Sequence, residues 1–119
     1  MTTSILTSVK EHLGIDAQDE SYDNQIVEHI NRALVKCRQL GVGPKRGFVI
    51  FDETSEWSDL IPATQTFLLA DVPSFVGDLV RLSFDPPAGG STMQALKDTI
   101  AEDEFRIKLA LEVEQGLMG

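Results

Sequence analysis

The chain has 119 residues, 42% of them hydrophobic, one cysteine, and a formal net charge of −9. That is the length of one domain with a modest core; it excludes an internal disulfide and a cysteine-cluster metal site, and no run reaches the ~20 apolar residues of a membrane-spanning helix. The acid surplus weighs against sequence-specific nucleic-acid binding, which needs clustered Lys and Arg, and the one basic pair is Lys45-Arg46; a solubilising surface accounts for the same charge.

The first predicted helix runs from Ser4 to Leu13, with Ile5, Leu6, Val9 and Leu13 on one face. Thr3 or Ser4 caps its start, Gly14 suits a left-handed end, and Ile15 can add the accompanying apolar contact. The opening Met1-Thr2-Thr3-Ser4 lacks the basic and apolar regions of a signal peptide. A lone Cys37 fits synthesis in a reducing cytoplasm.

After a polar link, the second helix spans Tyr22 to Leu40. Ile26, Ile30, Ala33, Leu34, Cys37 and Leu40 form its apolar stripe, and Glu28, Arg32, Lys36 and Gln39 its solvated face. Gly41 stops it and Pro44 prevents a restart. Gly47 to Phe51 and Thr64 to Leu69 are β-prone runs that can pair as a small antiparallel ribbon. Between them Trp57 sits in a long polar connection, either an interface anchor or a lid on the core.

The third helix begins near Pro73 and ends at Phe84. Phe84-Asp85-Pro86-Pro87-Ala88-Gly89-Gly90-Ser91 then forbids a continuous helix and predicts a rigid corner, with Ser91 and Gln94 as a capping box for the next helix. That helix starts about Thr92. Its inner face is Met93, Leu96, Ile100 and Ile107; a second stripe, Phe105, Leu109 and Val113, lies on the far side. Two apolar faces ask for two partners, the chain's own core and a neighbouring subunit. From Arg106 to Glu114 the pattern also alternates with period two, which would set Ile107, Leu109, Leu111 and Val113 on one side of a strand. The expectation is helix through about Leu109, a tail that extends or docks, and fraying over Gly116 to Gly119. Together these elements predict a mainly α fold: a small helical bundle of about four helices, with a protruding central loop that can form a short β-ribbon.

Catalytic signals are weak. His12 and His29 lack a second metal-type ligand one turn away, and Cys37 sits on an apolar stripe. Glu102, Asp103 and Glu104 read as a solvated acidic run. The glycines from Gly41 to Gly47 match no phosphate loop, and Asp52, Glu53, Glu56 and Asp59 lack calcium-loop spacing. The expectation is no enzyme, no cofactor and no metal.

Four stretches carry a family resemblance: Tyr22 to Leu34 followed by Gln39 to Pro44, Glu56-Trp57-Ser58-Asp59-Leu60, Phe84-Asp85-Pro86-Pro87, and Glu104-Phe105-Arg106-Ile107. In this order and spacing the chain resembles the head–tail connector (neck or adaptor) proteins of long-tailed bacteriophages. The resemblance covers residues 5 to about 110; Pro73, Gly77 and Phe105 depart from it. It implies one connector-like domain over 1–119, with 106–119 as a candidate docking tail. It also implies a virion protein of the head–tail junction, made in the bacterial cytoplasm and assembled as a homo-oligomeric ring, dodecameric in the virion. The partners implied are the portal protein and the next head-completion or tail-terminator protein, with double-stranded DNA passing through the lumen and no membrane. The corner residues are Phe84, Asp85, Pro86, Pro87 and Ser91; the candidate subunit or portal interface is Trp57, Asp59, Phe105, Arg106, Leu109, Leu111 and Val113. The competing reading is a small acidic helical regulatory or inhibitor module that binds a basic protein. A carrier-protein reading lacks the modifiable serine in an Asp-Ser-Leu context.

Overall fold

The computed structural model describes residues 4–118, which form a mainly helical bundle. Helix α1 (Ile5–His12) starts where Ser4 Oγ accepts the Thr7 N–H (3.3 Å). Thr3, the other candidate cap, lies outside the described residues. At its end Gly14 takes φ 78° while the Ile15 N–H reaches the Lys10 carbonyl at 2.8 Å, so the polar stop and the apolar contact of Ile15 occur together. Helix α2 (Asp23–Leu40) ends the same way, with Gly41 left-handed and the Val42 N–H on the Cys37 carbonyl. Val42 is thereby turned into the core.

Helix α4 (Val72–Phe84) is the centre of the bundle. It packs against α1, α2 and the last helix, α5 (Gly90–Met118). Phe75, Val76 and Val80 are fully buried and share one core cluster with Ile26 and Ile30 of α2, Ile5 and Val9 of α1, and Ile107 of α5. Gly77 explains itself here. A Cβ at that position would lie 2.7 Å from both Cγ and Cδ2 of His12, so the missing side chain is the seat of the His12 ring on the α4 backbone.

Three expectations are corrected. The β-ribbon does not form, and among the described residues the β pairing is an isolated bridge between Ser4 and Glu56. Thr64–Leu69 instead lies in a 3-10 segment (Ala63–Ala70) kinked at Gln65. The stretch 47–51 is an irregular strap whose pairing partner is a side chain: the Asn31 amide donates to the Ile50 carbonyl (3.0 Å) and its oxygen accepts the Ile50 N–H (2.8 Å). One helical asparagine thus satisfies both backbone groups that a second strand would have taken. The connection between them is folded down, with helix α3 (Trp57–Leu60) placing Trp57, Leu60 and Ile61 in the core.

The second correction is the capping box. α5 begins at Gly90, with Met93 N–H bonded to the Gly89 carbonyl at 2.9 Å, so Ser91 is already inside the helix. Gln94 donates forward to Asp98 (2.9 Å), not back to a cap. The helix thus starts two residues before the expected point.

The third is the tail. α5 is unbroken to Met118, and Gly119 lies outside the described residues. The period-two pattern splits in register with the helix: Ile107 and Leu111, four apart, face the core, while Leu109 and Val113, four apart, face out. Lys108, Ala110 and Glu112 at the intervening positions, with Leu109 and Leu111 themselves, all favour helix, and that propensity prevails over alternation.

Candidate functional site

Between α4 and α5 the chain is non-helical from Asp85 to Gly89. Phe84 closes α4 and lies edge-on to Tyr22 (centroids 5.9 Å) and to His29 (5.7 Å), tying the end of α4 to the first half of α2. Ser83 Oγ lies 2.9 Å from His29 Nδ1. Asp85 leaves helical geometry at φ −145° and ψ 66°, as the following Pro86 demands. Pro87 is half-buried and Pro86 exposed. The chain thus leaves α4 at Phe84, passes Pro86 and Pro87, and re-enters helix at Gly90; Ser91 contributes no cap.

The seven candidate interface residues separate into two groups. Trp57 is 5% exposed and belongs to the core, as does Leu111. Asp59 is exposed but occupied: its carboxylate accepts the Glu56 N–H at 2.8 Å, half of a capping box that holds the α3 turn. Arg106 is held along its own helix by Glu102 and Asp103. Phe105 (63% exposed), Leu109 and Val113 stand out from the outer side of α5.

Leu109 and Val113, with Ala110, form one wall of an open groove of about 900 Å³, and Phe67 and Thr64 of the 3-10 segment form the other. Asp71, Arg106 and Glu114 complete the lining. Glu114 Oε1 accepts the Gln65 amide at 3.0 Å, while its Oε2 is buried with no hydrogen-bond donor. Close by, Asp103 is buried, its Oδ2 also lacks a donor, and burial first, then the charges of Asp78 and Asp71, push its carboxyl up from the usual value. His12 Nε2 meets Asp78 at 2.7 Å, and that hydrogen bond raises the imidazole. This side of the molecule is rich in carboxylate.

A second apolar patch escaped the sequence reading. Phe51, 82% exposed, and Val49 project from the strap. Val35 of α2, also exposed, joins Val49 in a recess with Leu34, Phe48, Arg38 and Arg46. The β-prone pattern hid this patch, because a ribbon would have placed these residues in a pair. A charge signal was available: from His29 to Phe51 the sequence holds Arg32, Lys36, Arg38, Lys45 and Arg46 and not one acid.

Burial raises the Cys37 thiol to about 12, consistent with a core side chain. Among the described residues no group of three or more His, Cys, Asp or Glu is placed to hold a metal ion, and no helix is long and apolar enough to cross a membrane.

The family model for phage connector proteins matches residues 5–114, nearly the whole chain. The chain belongs to the phage connector protein family. This connector is accordingly a structural component of the phage virion, with a role at the head–tail connection. No curated protein and no solved structure matches it.

Proposed function

We propose that this connector assembles as a closed ring, dodecameric in the virion, between the portal protein and the next head-completion or tail-terminator protein, and that the genome passes through its lumen. The observation that carries the reading is the outer face of α5. In a protein of a connector family, Phe105, Leu109 and Val113 are left uncovered on the longest helix of the fold. A ring is built from a heterologous interface, in which each subunit presents two different surfaces. An exposed apolar row on a rigid helix is suited to one of them. The net charge of −9 supports a lumen that lets DNA slide without adhering. No catalytic step belongs to this role. The reading of an acidic inhibitor module has only size, helicity and charge behind it.

Negative-stain microscopy of the purified connector, alone and with its portal protein, tests the proposal. Rings with a central channel are expected in at least the second sample. A protein that stays dispersed and leaves the portal bare at high concentration would refute it.

A further inference from the structure

The two apolar patches of this connector differ in the charges that line them: two arginines beside Val49, two carboxylates and one engaged arginine in the groove. Val49 of the strap patch lines a recess with Arg38 and Arg46, within the acid-free stretch from His29 to Phe51, while the exposed Asp52 and Glu53 follow Phe51 directly. Neither arginine has an ion-pair partner among the described residues. The groove between the 3-10 segment and α5 is apolar at Phe67, Leu109 and Val113 and acidic at Asp71 and Glu114. From Gly47 to Val80 the chain contains no Lys or Arg at all. The groove's one cation, Arg106, is taken up by Glu102 and Asp103. The groove wall also holds the buried, donorless Oε2 of Glu114. The patches share no lining residue and ride on different elements.

We infer that the occupant of the groove is a second copy of this chain: Phe51 and Val49 of one subunit enter the Phe67–Leu109–Val113 groove of the next, and Arg38 and Arg46 face the Asp71 end of its rim. The inference rests on the ring reading and specifies its interface. An apolar knob with a basic rim fits an apolar cleft with an acidic rim, and a chain carrying both is complementary to itself head to tail. Lone patches of this kind on a monomer would be an aggregation liability; paired, each covers the other. Buried aromatic anchors carry most of the energy of such contacts, and the rim charges set register and rate.

The test uses Phe51→Asp and Leu109→Asp, with Val49→Asp and Val113→Asp as second variants of each surface. All four positions are exposed, so circular dichroism and melting should match the parent. Sedimentation is measured for the parent and each variant, alone and with portal protein. Each variant alone should self-associate at least about tenfold more weakly than the parent, the loss of one anchor. Mixed together, Phe51→Asp keeps an intact groove and Leu109→Asp an intact knob, so the mixture should form one-to-one dimers that grow no further. A parent that assembles while the variants assemble equally well overturns the pairing and leaves the ring standing. Variants that fail singly and stay monomeric when mixed overturn it as well. A parent that never assembles, even with portal, overturns the ring and the pairing together.

Discussion

At the scale of single residues, the seam between α1, α4 and α5 makes the stability of the connector depend on pH. His12 sits over Gly77 with its Nε2 on Asp78, and that bond raises its pKa above 6.5. A histidine raised on folding lends stability that is complete below its unfolded value and is lost as pH climbs through the folded value. Melting temperature should therefore fall as pH rises past the ordinary histidine value of 6.5, and His12→Gln should flatten that fall. Gly77→Ala gives the same flattening by another route. Its helix propensity gain of about 1 kcal/mol is offset because the new Cβ would meet the imidazole at 2.7 Å and expel it from its seat. Thermal melts across the pH range check both. Asp103 is also raised, chiefly by burial, so ionising it opposes folding once pH passes its unfolded value of 3.8. Asp103→Asn should raise the melting temperature at pH 7, with the gain vanishing near pH 4. An unchanged melt at pH 7 would remove Asp103 as a source of strain.

At the scale of elements, the strap is the most exposed to a single change. Asn31 serves both the N–H and the carbonyl of buried Ile50. Asn31→Ala should cost about 1–3 kcal/mol by stranding those groups, and hydrogen exchange should rise at Ile50 before it rises in α2. The corner makes a different prediction. Pro86→Ala with Pro87→Ala leaves the Phe84 anchor on Tyr22 and His29 in place, so the monomer should fold with a near-parental melt while rings, scored by microscopy, form poorly. Normal rings from that variant would reduce the corner to an ordinary turn. Helix ends were legible wherever backbone chemistry decides them: Gly14, Gly41, Pro73 and Pro86 each mark a boundary within a residue or two. The strap was illegible because its backbone is satisfied by a long-range side chain, Asn31, and the 3-10 segment because its backbone bonds close locally, as from Gln65 N–H to the Pro62 carbonyl and from Asp71 N–H to the Leu68 carbonyl. The outward row on α5 was readable from spacing alone, and its groove was not, since Phe67 reaches it from a segment that sequence assigns to a strand.

At the scale of the molecule, what distinguishes this chain is the distribution of its charge. The total is −9, yet half of its ten Lys and Arg fall between Arg32 and Arg46, beside one exposed apolar patch, while carboxylates gather around the other. A uniformly solubilising surface would have no reason for that segregation; a head-to-tail ring would. Charge-driven contacts weaken as ionic strength rises, so assembly should be measurably poorer at about 0.5 M salt than at about 0.1 M. The most direct measurement of the central claim is the native mass of the connector bound to its portal. A closed ring predicts one discrete species holding a fixed number of connector chains, with no ladder above or below it. A single bound copy, a continuous ladder of open oligomers, or no bound connector at all would contradict it.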